Sequence, residues 1–119
     1  MSKYIRLRDA DDSGMVQCVT CGNYHHWKDL DAGHFFSKSM GNAAYFEESN
    51  IFPQCRSCNR FHEGNKQRYT LYMLDRHGRE FVEALEAKCR RSIQYRLCDY
   101  EELEQRYKAL AEQEMRRVG

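Results

Sequence analysis

Two C-x-x-C pairs, Cys18/Cys21 and Cys55/Cys58, stand 33 residues apart and constrain this chain more than any other feature. Each pair can form a tight knuckle presenting two sulfurs to one ion. Four thiolates suit a tetrahedral, closed and therefore structural Zn²⁺ site. Where thiols are kept reduced, the pattern reads as metal ligands before disulfides; a redox C-x-x-C or two unrelated pairs are the competing readings. A chain of 119 residues, 41% apolar and 31% charged, makes one small domain with a thin core, which needs a staple. Bound zinc can contribute on the order of 10 kcal/mol to folding. Cys89 and Cys98 lie outside the pattern and are expected as ordinary thiols in or near a helical core.

No apolar run approaches the ~20 residues of a membrane span, and no charged-then-apolar leader marks secretion. A cytoplasmic location is the expectation. The formal charge is +1, but it is unevenly spread. Residues 9–50 carry two Lys/Arg against seven Asp/Glu, 56–91 carry nine against five, and 99–119 carry four against six. A basic middle can face phosphate while the total stays near neutral. Arg90 and Arg91 on a solvated helix face are the plainer reading.

Periodicity divides the chain coarsely. Tyr4 to Arg8 alternates like a strand, with a short helix after Ser2 as the alternative. Asp11-Asp12-Ser13-Gly14 reads as a turn, and Met15-Val16-Gln17 leads into the first knuckle. His25 to Phe36 looks extended. Ser37 to Asn50 is a loop or partly helical excursion, in which Tyr45 and Phe46 are expected as core plugs rather than platforms for bases. Tyr69, Tyr72 and Met73 predict a helix that Gly78 ends. Phe81, Leu85 and Cys89 predict a second helix. Asp99 and Glu102 read as a capping-box-like start of a third, with Leu103, Tyr107 and Leu110 as its apolar stripe. That stripe either packs on the chain's own core or supplies a homodimer contact.

Between and around the knuckles run Asp31-Ala32-Gly33-His34, then Asn50-Ile51-Phe52-Pro53-Gln54-Cys55-Arg56-Ser57-Cys58-Asn59, then His62. A histidine at a strand end, an asparagine before the second knuckle and Asn or His after it resemble the HNH endonuclease motif. The resemblance implies an α+β fold: a small, zinc-stapled ββα-metal core over about residues 15–70, followed by C-terminal helices over about 71–119, in one domain, 1–119. More finely, Tyr4-Ile5-Arg6-Leu7-Arg8-Asp9-Ala10, Cys18-Val19-Thr20-Cys21-Gly22, Asp31-Ala32-Gly33-His34-Phe35 and Gln54-Cys55-x-x-Cys58-Asn59 look like the phage lambda NinG/Rap family. So do Gly64-Asn65 and Asp99-Tyr100-Glu101-Glu102-Leu103. That resemblance implies a recombination endonuclease acting on branched DNA, including Holliday junctions and D-loops, in a bacterial host.

Phosphodiester hydrolysis needs a base for the attacking water and positive charge for the departing 3′ oxygen. His34, with a reference pKa near 6.5, suits the first task. Asn59 offers a hard carboxamide oxygen to a catalytic Mg²⁺ or Mn²⁺ acting as a Lewis acid. By the resemblance, Asn50 orients the histidine or braces the loop between the strands. His62 and Asp31 are further candidates for the ion. HNH sites often carry an acidic ligand immediately before the histidine, where this chain has Gly33. On a regular strand Asp31 points to the face opposite His34, and only a bulge would turn it inward. A noncatalytic zinc-stapled module that binds nucleic acid or protein is the rival reading, and RNA is a further candidate substrate.

Overall fold

A computed structural model describes residues 1–118, so the expected single domain is described up to Val118. A short helix, α1 (Ser2–Arg8), precedes a hairpin of β1 (Met15–Gln17) and β2 (Tyr24–His26). A second antiparallel hairpin pairs β3 (Leu30–His34) with β4 (Ile51–Cys55), and three helices follow: α2 (Lys66–His77), α3 (Arg79–Cys89) and α4 (Leu97–Arg117). This is the mixed α+β architecture of small sheets and C-terminal helices that the sequence leads one to expect. No helix among the described residues is long and apolar enough to cross a membrane.

The β3–β4 hairpin is the middle layer. Its register runs unbroken from Leu30 opposite Cys55 to His34 opposite Ile51. Alternation therefore sends Leu30, Ala32 and His34 to one face and Asp31 and Gly33 to the other. On the first side a core forms from Leu7, Trp27, Leu30, Cys55 and residues of α4. On the second, Phe52 packs with Phe35, Tyr69, Met73, Leu85 and Cys89. Helices α1 and α4 cover one side of the hairpin, and α2 and α3 cover the other.

Tyr4 to Arg8 is helical, not extended. Helix α1 packs against α4 and also against β3 and β4. Ile5 and Leu7 are both fully buried, and burial on two sides imitates the two-residue alternation of a strand. Gly78, at φ 83°, ends α2 as expected. The last helix begins two residues before Asp99, at Leu97. Asp99 is its third helical residue, and its carboxylate turns back to accept the Arg96 N–H at 2.8 Å, so the carboxylate caps from inside the first turn. Tyr107 is buried, with Leu103 and Leu110 half-buried on the same stripe; Tyr107 meets Tyr4 of α1 with ring centroids 5.7 Å apart. Cys89 is buried in α3 and Cys98 is exposed.

Candidate functional site

The four cysteine sulfurs Cys18, Cys21, Cys55 and Cys58 lie within 4.8 Å of one another. Cys21 Sγ and Cys55 Sγ are 3.7 Å apart, matching the ~3.8 Å edge of a tetrahedron drawn around Zn²⁺ with ~2.3 Å bonds. The set fits a structural metal such as zinc. Burial resists ionisation of Cys18, yet the amides of Cys21, Cys55 and Thr20 with the Thr20 hydroxyl bring its thiol down to about 6. Burial and the neighbouring sulfurs push Cys55 up to about 12. Four thiols this close ionise together only when a cation neutralises them. The Cys58 N–H donates to Cys55 Sγ at 3.5 Å, and Asn65 Nδ2 donates to Cys58 Sγ at 3.6 Å. Such outer bonds orient metal ligands.

The clip sets the start of α2. After the second knuckle a wide π-type turn, Ser57–Phe61, leads through Gly64 to Asn65, which caps α2 in the left-handed region at φ 50°. Fully buried Gln54 donates through Nε2 to Thr20 Oγ1 at 3.2 Å and to the Gly64 carbonyl at 2.8 Å. Lys66, the first residue of α2, is thereby aimed at β3. Its Nζ donates to the carbonyls of His34 (2.7 Å) and Phe35 (2.5 Å). The contact of Lys66 across to β3 is long-range and leaves no local signal in the sequence.

His34 ends β3, and its Nε2 lies 3.0 Å from the Tyr45 carbonyl. A carbonyl only accepts, so Nε2 carries the proton and Nδ1 is left as the basic nitrogen. The Tyr45 ring stacks on the imidazole, centroids 4.4 Å apart and 14° from parallel. Burial lowers the His34 pKa below the usual histidine value; the Tyr45 bond works against this and the Lys66 ammonium adds to it. Asn50 is buried and braces the 35–50 loop: its Oδ1 accepts the Phe36 N–H at 2.9 Å, and its Nδ2 donates to the Phe36 carbonyl at 3.0 Å. Of the two roles considered for Asn50, the bonds describe the loop brace.

Asn59 is elsewhere. Its Nδ2 donates to Asp31 Oδ2 at 3.0 Å, while Arg60 grips both Asp31 oxygens at 2.9 Å. Although burial opposes it, these bonds hold the Asp31 carboxyl below the usual carboxylate range. Strand β3 has no bulge, so Asp31 keeps to the face away from His34. The cavity beside His34, about 340 Å³, is lined by Met1, Ser2, Ala32, Tyr45, Phe46 and Ile51 and holds no carboxylate. The residues at His34 thus do not fit an oxygen-ligated Mg²⁺ or Mn²⁺. Nor does Gly33 have room for a ligand: a Cβ there would come 1.9 Å from Gln54 Oε1. His62 is exposed and borders the cleft over Cys21, Cys55 and Cys58 with Asn65 and Arg68.

A β-hairpin beside four clustered cysteines, with a histidine ending its first strand, an asparagine closing the loop into its second and a helix following its second knuckle, defines a small α+β domain that could hold a structural metal. The family model described as bacteriophage lambda NinG protein matches residues 1–117, and the chain belongs to the NinG family. Protein ninG of Escherichia phage lambda is 33% identical over 89 residues, covering 73% of this chain and 40% of the relative. The ninG proteins of Escherichia phage 933W (33% over 89 residues, 73% and 41%) and Salmonella phage P22 (31% over 93 residues, 76% and 42%) are similar to the same degree. The chain therefore spans about two fifths of the length of these curated relatives. No solved structure matches it.

Proposed function

We propose that this chain is a DNA endonuclease domain that hydrolyses phosphodiester bonds at branched recombination intermediates, with His34 as general base. The observation that carries the reading is the pinned imidazole. Its Nε2–H is spent on the Tyr45 carbonyl, its depressed pKa keeps it neutral at physiological pH, and Nδ1 is free to take a proton. In the reaction, a water gives its proton to Nδ1 as its oxygen bonds to phosphorus, and the P–O3′ bond breaks with its electron pair leaving on the 3′ oxygen. Lys66, the first residue of α2, is bonded to the His34 and Phe35 carbonyls, so it acts by holding the backbone that carries the imidazole. Asn50 holds the loop that carries Tyr45, so it acts by positioning. The Mg²⁺ or Mn²⁺ that the HNH resemblance implies stays outside these steps, because Asp31 and Asn59, its expected ligands, meet on the other face of β3.

The rival, a noncatalytic zinc-stapled module, gains from the lack of any carboxylate in the cavity beside His34. One assay separates the two: cleavage of linear duplex, flap and four-way DNA with Mg²⁺, by wild type and by His34→Ala with zinc content matched. Cutting by wild type that His34→Ala loses supports the nuclease. Binding without cutting by either protein leaves the rival.

A further inference from the structure

A continuous line of aromatic rings leaves His34 and reaches the surface. Tyr45 stacks on His34; Phe46 sits edge-on to Tyr45 at 4.9 Å and edge-on to Tyr95 at 5.4 Å. Tyr95 and Tyr100 are 5.4 Å apart, and Phe46 reaches Tyr100 at 6.2 Å. None of the five belongs to either core cluster, and Tyr100 is 48% exposed. Core plugs, the sequence-based expectation for Tyr45 and Phe46, would be enclosed. These rings instead stand between two cavities: the one beside His34, which Phe46 lines, and a second of about 370 Å³ lined by Ile93, Tyr95, Asp99, Glu102, Leu103 and Arg106.

The arrangement is built rather than incidental. The loop that carries Tyr45 and Phe46 is bolted to the α3–α4 connection that carries Tyr95. Asn42 donates through Nδ2 to the Ile93 carbonyl at 2.7 Å and accepts the Ile93 N–H at 2.5 Å. The amides of Asn42 and Ala43 both donate to the Arg91 carbonyl at 3.1 Å. Gly41 lets the backbones meet, since a Cβ there would lie 2.2 Å from the Cys89 carbonyl oxygen.

We propose that Phe46, Tyr95 and Tyr100 form a stacking platform for an unpaired base of DNA, next to the phosphate attacked by the water that His34 activates. The inference rests on the nuclease reading for the place of that phosphate, and it adds the feature of the substrate that is recognised. Aromatic faces accept any base, because every base has a π-face. The second cavity offers Glu102 as an acceptor and Arg106 as a donor, groups suited to a base edge, and the Watson–Crick edge is free only when the base is unpaired. The flanking stretch from Lys88 to Arg96 carries four basic side chains, of which Lys88, Arg90 and Arg96 pair with Glu47, Glu86 and Asp99 on the surface. Lys38 lies 5.3 Å over the Tyr45 ring, and Arg91 makes no ion pair among the described residues. Phosphates on either side of a splayed base meet cations there.

The test uses the full, zinc-loaded chain, with each probe checked intact on a denaturing gel so that binding is read apart from cutting. The DNA probes are a flap carrying 2-aminopurine at its first unpaired position, the matched linear duplex, and a single strand, with single-stranded RNA of the same sequence alongside. Wild type should quench the 2-aminopurine. Tyr100→Leu, which keeps apolar packing and removes the ring, should abolish the quench and weaken flap and single-strand binding by about 5- to 150-fold, the worth of one base–aromatic stack. Duplex affinity should change by less than about twofold, and Tyr100→Phe should restore the flap affinity, by the same stacking argument. An equal loss on duplex and flap, no loss on either, or tighter binding to RNA than to DNA overturns the platform. Cleavage by His34→Ala at the wild-type rate would instead remove the base assignment, and it leaves this binding result untouched.

Discussion

Gly33→Ala is the substitution whose cost the structure specifies most directly. Gly33 directly precedes His34, and a Cβ built on it lies 1.9 Å from Gln54 Oε1, 2.7 Å from Cδ and 3.0 Å from Cγ. No real Cβ tolerates such a contact, so Gln54 must move. Gln54 is fully buried, and its amide ties the first knuckle at Thr20 to Gly64 before α2. Moving it costs two hydrogen bonds at ~1 kcal/mol each and overpacking of ~1–3 kcal/mol, so Gly33→Ala should destabilise by about 3–5 kcal/mol. With a urea m-value of roughly 1.5 kcal/mol/M, the midpoint falls by about 2–3 M. Gln54→Ala alone loses the same two bonds and leaves a cavity. The double variant should be no less stable than Gln54→Ala, because the methyl then occupies vacated space. The cycle therefore yields a coupling at least as large as the Gly33→Ala cost itself, about 3 kcal/mol. Urea unfolding at fixed zinc measures all four proteins. A Gly33→Ala midpoint within ~0.3 M of wild type, or additive single effects, would refute the reasoning.

Cys55→Ser should abolish tight zinc binding and cooperative unfolding, read by elemental analysis and circular dichroism; an unchanged melting curve without zinc contradicts a structural clip. His34→Ala should retain zinc and DNA binding while cleavage drops by ~10²–10⁴, the usual contribution of a general base. Asp31→Ala should leave the response of cleavage to added Mg²⁺ unchanged, since Arg60 and Asn59 hold that carboxylate on the far face; a large shift in that response places an ion at Asp31. Burial depresses the pKa of His34 and of His77, with Lys66 and Arg76 adding to it respectively. The unfolded chain therefore binds more protons below pH 6.5, and stability falls as pH drops from there through the folded-state values. His34→Gln should flatten part of that slope in urea titrations between pH 5 and 7.5 with zinc monitored, and an identical slope would show that His34 is not the titrating group.

What could be read from the sequence was local or chemically loud. The two knuckles, the Asp11–Gly14 turn and the Gly78 stop each declare themselves within four residues, and the thiols name their own partner. The strand pairing of Asp31 with Gln54 keeps strict alternation, so the face of Asp31 was legible too. The pieces left open or placed differently all depend on distant packing. Tyr4 to Arg8 looks like a strand because α4 and the hairpin squeeze a seven-residue helix from both sides. Asn59 resembles an ion ligand in a linear motif, but Arg60 beside it carries the stronger attraction for Asp31. Tyr45 and Phe46 look like core residues by composition, and only the docking of residues 91–93 on Asn42 shows them lining a surface.

The clip also explains how so small a chain can hold a precise histidine. Cys18, Cys55 and Cys58 are themselves members of the core that joins Trp27 and Leu30 to α1 and α4, so metal binding and apolar burial close the same interface. The second core, around Phe52 and Tyr69, is tied to the first through Gln54 and through the Tyr69 hydroxyl, which donates to the Gly33 carbonyl at 2.6 Å. His34 follows Gly33 directly, between those two ties and the Lys66 bond to its own carbonyl. The peptide on each side of the imidazole is thus fixed by groups that descend from the knuckles. Loss of the metal should release Gly64 and Asn65 first, then Lys66, and with it the backbone that aims His34. Zinc far from the phosphate would on this view act on catalysis through position alone, and Lys66→Met should reproduce part of the loss while leaving zinc bound.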